Sequence, residues 1–136
     1  MALLTLIQKA GHEVHVATVD HQLRAGSTKE AQNVARHCAA LGIPHAILTW
    51  KNKHKTGNLQ NEARLARQRL LTEWALQNNL RSIALGHTLD DQAETVLLRL
   101  ARGSGVDGLA AMANARHHDG IAWLRPLLNI KRADLR

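Results

Sequence analysis

The sequence has 136 residues, and its 18 Lys and Arg against 11 Asp and Glu give a formal charge of +7. That length suits one domain with one core, and the positive balance suits solubility or a polyanionic partner equally. A single cysteine, Cys38, excludes an internal disulfide and any Cys-x-x-Cys zinc or redox pair; the absence of Phe and Tyr argues against a surface of stacked aromatics for single-stranded nucleic acid, and no apolar run approaches the ~20 residues of a membrane span.

The N-terminus MALLTLIQKAG is apolar at Leu3, Leu4, Leu6 and Ile7 and closes on Gly11, the pattern of a helix end. It lacks the basic leader and the longer apolar run of a signal peptide, so a cytoplasmic protein is expected. His12–Val19 is β-rich and predicts a strand. The polar turn Asp20-His21-Gln22-Leu23-Arg24 follows it. Ser27-Thr28-Lys29-Glu30 fits a capping box, in which the serine caps a free N–H and the glutamate reaches back. The helix it opens carries Ala31, Val34, Ala35, Cys38 and Leu41 on one face, so Cys38 is read as a packed core residue.

Pro44–Trp50 predicts a second strand, and Lys51–Gly57 is a basic loop whose Lys51, Lys53 and Lys55 face solvent or meet phosphate. Asn58 is placed to cap a long helix with Leu59, Ala63, Ala66, Leu70 and Trp74 on its stripe. Arg67 flanks that stripe and Arg64 lies further round. Asn78-Asn79 ends the helix, and Arg81–Leu85 predicts a third strand. Beyond the next helix, Val106–Met112 suggests a short helix and His117-His118-Asp119-Gly120 a turn. Ile121–Arg125 suggests a strand stopped by Pro126, and Lys131–Arg136 the start of a helix. The nine histidines match no ligand template such as His-Glu-x-x-His. Alternating strands and helices predict an α/β fold, Rossmann-like, with an open, mostly parallel sheet and helices on both faces.

Ala84–Gly105 is the centre of this pattern. A strand end and the polar turn Gly86-His87-Thr88 precede a helix with apolar Ala93, Val96, Leu97, Leu100 and Ala101. Asp90, Asp91 and Glu94 fall in its first turns. In an open parallel sheet, ligands bind beyond the carboxyl ends of the strands. Asp90 and Glu94 carry like charge one turn apart, which costs an isolated helix about 0.2–0.5 kcal/mol. Neither has Lys or Arg three or four residues further on. The acids either answer the positive end of the helix dipole or await an external cation, a metal or a substrate amine.

Gly86–Met112 (GHTLDDQAETVLLRLARGSGVDGLAAM), Val19–Arg24 (VDHQLR), Gly57–Leu71 (GNLQNEARLARQRLL) and Leu124–Arg136 (LRPLLNIKRADLR) together resemble the tRNA(Ile)-lysidine synthase family, a branch of the N-type PP-loop ATP pyrophosphatases. The resemblance spans nearly the whole chain and implies an adenine nucleotide alpha hydrolase-like fold. It implies that ATP adenylates C2 of the wobble cytidine, position 34, of tRNA-Ile(CAU). Free L-lysine then displaces AMP, giving lysidine, with Mg²⁺ and basic groups stabilising the developing phosphate charge.

On this resemblance Asp90 and Asp91 hold Mg²⁺ or the lysine ammonium, with Glu94 supporting and His87 orienting an acid or taking a proton. Val19, Asp20, His21 and Gly86 fall where the family binds ATP. Arg64 matches an arginine-bearing helix that reaches ATP, and Arg67, Arg99 and Arg102 are assigned to tRNA. The family's SGGxDS pyrophosphate loop is absent from these 136 residues. The expectation is therefore a partial N-terminal catalytic domain over 1–136. It lacks the first, central strand and the C-terminal tRNA-binding domains, and is inactive alone unless a homodimer or a complementing chain supplies the loop. A tRNA thiolase of the same wider group is the rival enzyme, against which the single cysteine argues. A non-catalytic nucleotide- or tRNA-binding fragment is the rival of another class.

Overall fold

The computed structural model describes residues 1–51, 57–103, 105 and 112–136. The basic-loop lysines Lys53 and Lys55 and the short helix expected at Val106–Met112 fall on residues outside the described set, Met112 excepted. The described elements are helix α1 (Ala2–Lys9), strand β1 (Val16–Asp20), α2 (Ser27–Ala40), β2 (His45–Thr49), α3 (Leu59–Gln77), β3 (Ser82–Ala84), α4 (Leu89–Ala101), β4 (Ala115–His118), β5 (Ile121–Leu124) and a 3-10 turn over Arg132–Leu135. They divide into two compact units, Gly11–Asn79 and Met1–Ala10 with Leu80–Arg136. The α/β architecture with mostly parallel pairing is as expected, and the described strands form two sheets, one in each unit.

In Gly11–Asn79, β1 and β2 run parallel, Val16 opposite His45 through Asp20 opposite Thr49. The ladder is extended by Val16 N–H to the Pro44 carbonyl and Trp50 N–H to the Asp20 carbonyl, each at 2.9 Å. Helix α2 packs on both strands and α3 on β1. Ala31, Cys38, Ile43, Trp50, Ala66, Leu71 and Ala75 form the core, with Cys38 fully buried as expected. Burial also pushes the Cys38 thiol pKa up, which keeps the sulfur protonated and inert.

Two details of this unit differ from the sequence expectation. Helix α2 starts at Ser27 with Gly26 as its N-cap, at φ 98°. The Ser27 hydroxyl does not cap. It donates to Asp20 Oδ1 at 2.6 Å, and Glu30 pairs with Arg24 at 2.7 Å. An ionised carboxylate is a stronger partner for a hydroxyl than a helix N–H, so the serine turns to it. On α3, Asn58 caps as expected by accepting the Asn61 N–H at 3.2 Å. The buried residues, however, are Ala66, Leu71, Thr72 and Ala75, while Leu70 and Trp74 are only half-buried. Thr72 tolerates burial because its hydroxyl bonds the Gln68 carbonyl at 2.8 Å within the helix.

In the other unit, β5 is central. It pairs parallel with β3 and antiparallel with β4. The antiparallel edge replaces the turn expected at His117-His118. Those histidines lie in β4, and only Asp119-Gly120, at φ 50° and 77°, form the turn. Both central residues at positive φ match the twist of a two-residue hairpin, the role of an Asp-Gly pair. Every β4 side chain is exposed, so no apolar alternation announced a strand. Ile121 and Trp123 of β5 are buried, and Leu127 and Leu128 complete the core after Pro126. The apolar stripe expected on α4 is not buried. Leu97, Leu98 and Leu100 are exposed, and no residue of the helix is fully covered. Polar contacts hold its first turn.

Candidate functional site

The end of β3 delivers the chain to α4. Leu85 N–H bonds the Leu124 carbonyl at 2.8 Å, continuing the pairing to β5, and the backbone then turns through Gly86, His87 and Thr88. Gly86 does not have a positive φ, and a Cβ there would meet Leu3 only at 4.0 Å. Nothing in the chain itself demands glycine at this exposed position.

Thr88 is buried and is the N-cap of α4. Its N–H and hydroxyl both donate to Asp91 Oδ2, at 2.6 and 2.8 Å. This capping arrangement turns Asp91 Oδ1 toward Arg132, whose Nη2 donates at 3.1 Å and lies 3.7 Å from Glu94 Oε1. Asp90 Oδ2 accepts the Arg132 main-chain N–H at 2.7 Å, and Leu89 N–H bonds the Ile130 carbonyl at 2.9 Å. The first turn of α4 and the segment from Ile130 to Arg132 are therefore clamped to each other. The Asp91 carboxyl pKa is lowered, first by the Thr88 N–H against some opposition from burial, then by the Thr88 hydroxyl, Arg132 and His87.

Arg125 lines the neighbouring turn. Its Nε donates to His87 Nδ1 at 3.2 Å and its Nη1 to the Ala113 carbonyl at 3.1 Å. Burial lowers the Arg125 pKa, and Arg116 adds to the effect. Gln92 pins the chain before β4 through two bonds with the Met112 main chain, at 2.9 and 2.8 Å. His87, Asp90, Asp91 and Glu94 thus come together at one helix start. Arg99 and Arg102 lie nine and twelve residues beyond Asp90, about 13–18 Å along the helix.

Val19, Asp20, His21, Arg64 and Arg67 belong to the other unit. Asp20 is buried at the carboxyl end of β1. Both of its oxygens are engaged, by Ser27 at 2.6 Å, Thr28 at 2.7 Å and the Gln22 N–H at 3.1 Å. These bonds lower its pKa, the Ser27 bond most. His21 Nδ1 accepts the Leu23 N–H at 3.3 Å. Asp20 and His21 shape the turn with their side chains. Arg64 and Arg67 project from α3 and are solvent-accessible, and crowding by the protein lowers the Arg67 pKa.

Among the described residues no three His, Cys, Asp or Glu side chains are grouped to hold a metal. A cage made wholly of protein ligands is thus absent there. Mg²⁺ is usually held by one or two carboxylates with phosphate oxygens and water, and Asp90 with Asp91 Oδ1 fits that mode. Thr88, Arg125 and Arg132 are the site residues that sequence reasoning missed. Thr88-x-x-Asp91 is a capping pattern visible in the sequence. Arg132 stands 41 residues from Asp91, and no spacing rule reaches that far.

The chain is a member of the PP-loop domain family, whose model matches residues 1–136. It is similar to the tRNA(Ile)-lysidine synthase of Ruegeria pomeroyi, 57% identical over 121 residues that cover 89% of this chain and 29% of that protein. The tRNA(Ile)-lysidine synthase of Methylobacterium nodulans is 48% identical over 122 residues, covering 90% of this chain and 36% of that one. The chain thus spans about a third of the length of these curated relatives. Among solved structures, the U34-tRNA thiolase NcsA from Methanococcus maripaludis with its [4Fe-4S] cluster matches with a TM-score of 0.77. At 19% identity, covering 98% of this chain and 50% of that one, it establishes the fold alone.

Proposed function

We propose that the chain is part of an enzyme that ligates L-lysine to C2 of the wobble cytidine of tRNA-Ile(CAU), with ATP supplying an adenylated intermediate. The observation that carries this reading is the 57% identity over 89% of the chain to a tRNA(Ile)-lysidine synthase. The geometry at the start of α4 supports it. Three carboxylates and one guanidinium leave a negative cluster beside a glycine that the chain itself does not require.

In this reading Asp90 and Asp91 hold Mg²⁺ or the lysine ammonium, and Glu94 adds charge. Mg²⁺, when bound, would neutralise phosphate charge. His87, held by Arg125, orients an acid or takes a proton. Gly86 lets the nucleotide approach the backbone, and the Val19-Asp20-His21 turn supplies a further ATP contact, with Arg64 reaching a phosphate. Arg67, Arg99 and Arg102 meet tRNA phosphate. The protein would work in the cytoplasm, and no helix among the described residues is long and apolar enough to cross a membrane.

Residues 1–136 form a partial catalytic domain in this reading. The SGGxDS loop and the central strand come from a polypeptide preceding them, a homodimer partner or a complementing chain, and tRNA-binding domains from beyond them. Thiolation is disfavoured because Cys38 is the one cysteine and is buried.

The test is transfer of labelled lysine to tRNA-Ile(CAU) with ATP and Mg²⁺. The 136-residue chain would be compared with a longer polypeptide carrying an SGGxDS loop ahead of it. Lysidine from the longer form, lost in Asp91→Asn, is expected, with none from the short chain. Robust lysidine from the 136 residues alone would overturn the claim that they are incomplete. Sulfur transfer in place of lysine transfer would overturn the reaction.

A further inference from the structure

Four of the eleven exposed large apolar side chains among the described residues lie on α4, and Leu97, at 64% exposure, is the most open of them. They share one face. At about 100° per residue, Ala93 and Ala101 lie about 40° to either side of Leu97 and Leu100 about 60° away, with Leu89 and Leu98 at the borders. Both alanines are exposed as well. The opposite side of the helix, through Asp91, Gln92, Thr95 and Val96, is the half-covered one. A contiguous apolar face left open to water marks a contact surface.

The charges beside this face say what fits it. Glu94 and Arg102 flank the same side of the stripe, four residues before and four after Leu98. The Glu94 side chain is 63% exposed, and its contact with Arg132 is loose, at 3.7 Å. Arg102 is exposed and makes no ion pair among the described residues. A two-fold axis through Leu97 and Leu98 lays a second α4 antiparallel on the first. It brings like flank to like flank with positions reversed, so each Glu94 meets Arg102 of the other copy. A parallel pair would instead set Glu94 against Glu94 and Arg102 against Arg102. The antiparallel pair also opposes the two helix dipoles. We propose that the apolar face of α4 is a contact between two copies of this chain, antiparallel about Leu97 and Leu98 and closed by two Glu94–Arg102 pairs. One face of this 13-residue helix, about 20 Å long, covers less than the roughly 800 Å² per partner of a stable complex. The pair is therefore weak and comes apart on dilution, where Leu97 stands open and its truncation costs the single chain little. The guanidinium of Arg102 carries five N–H groups and keeps donors for a phosphate while it meets Glu94.

The test is sedimentation velocity of the 136-residue chain from about 10 µM to about 1 mM, a span that brackets a weak association. The sedimentation coefficient is expected to rise with concentration toward that of a dimer. Leu97→Glu sets two carboxylates against each other at the centre of the face and is expected to raise the Kd more than about tenfold. The position is exposed, so the far-UV circular dichroism stays that of the parent. Glu94→Arg and Arg102→Glu are each expected to weaken the pair about two- to tenfold, because every change is met twice in a symmetric contact. Both changes in one chain exchange the signs and restore the affinity toward that of the parent. Leu65→Glu, at a 52% exposed position of α3 in the other unit, leaves the association as it was. A chain that stays monomeric throughout assigns the face to a polypeptide outside these residues and overturns the proposal. Association that survives Leu97→Glu, or that Leu65→Glu weakens equally, overturns it too. A double variant no tighter than either single one overturns the antiparallel pairing.

Discussion

Thr88→Ala tests how the helix start and the acid site depend on each other. The change removes the hydroxyl that donates to Asp91 at 2.8 Å and keeps the N–H that donates at 2.6 Å. A hydrogen bond to a charged acceptor contributes about 1.5–3 kcal/mol, and loss of a threonine N-cap costs about 0.5–2 kcal/mol. Both ranges describe the same contact, so the expected cost is their overlap, about 1.5–2 kcal/mol. With a urea slope of about 1–3 kcal/mol per molar, the unfolding midpoint falls by roughly 0.5–2 M. Asp91→Ala costs about 2–3 kcal/mol, because it also leaves the buried Thr88 hydroxyl without its acceptor. The two losses do not add, and a double-mutant cycle is expected to return a coupling of about 1 kcal/mol.

The pH dependence of the same variants gives a second readout. The folded pKa of Asp91 is lowered, so its contribution is complete above the unfolded value of about 3.9 and is lost as pH falls through the folded value. Thr88→Ala removes one cause of that lowering. The stability gap between parent and variant is therefore expected to be widest near neutrality and to shrink below about pH 4. Additive costs in the cycle, or a gap that grows on acidification, would refute the coupling of cap and carboxylate.

Three further outcomes are expected. Ser27→Ala should lower the melting temperature more than Thr28→Ala, because Ser27 is buried against Asp20 while Thr28 is exposed, and calorimetry ranks the two. Burial lowers the His45 pKa, and its Nε2 sits 3.0 Å from Thr18 Oγ1. The folded state therefore disfavours the charged ring, so stability should fall as pH drops from above about 6.5 toward the lowered folded value, and His45→Gln should flatten that slope in urea titrations. Ile121→Ala, at a fully buried position of β5, should cost about 2–5 kcal/mol, while Leu97→Ala, 64% exposed on α4, should stay within about 0.5 kcal/mol. Equal effects at the two positions would mean that α4 packs in solution against a surface the structure leaves open.

Local rules placed most elements. β-rich runs located β1, β2, β3 and β5, and apolar spacing located α2, α3 and α4, because a strand or helix is recorded in residues within a few positions of one another. Asn58 as a cap was legible for the same reason. Side-chain competition was not. Ser27 looked like a cap until the buried carboxylate of Asp20, seven residues away, claimed its hydroxyl. Strand β4 carried no signal because all of its side chains face solvent, and only its Asp-Gly turn was visible.

By itself the sequence determined that the acids Asp90, Asp91 and Glu94 gather at the start of a helix that follows a strand. The helical period puts residues one turn apart on neighbouring positions, whatever surrounds them. The four motif blocks also carried the resemblance that the PP-loop family match upholds. Only the tertiary structure decided what answers those acids. Arg132 becomes a neighbour through the clamp between α4 and the segment after Pro126, and Arg125 through the Asn114 carbonyl that holds its N–H at 2.7 Å. The apolar period of α4 likewise specified an amphipathic helix, but whether that face is covered depends on what packs against it, which no local pattern contains.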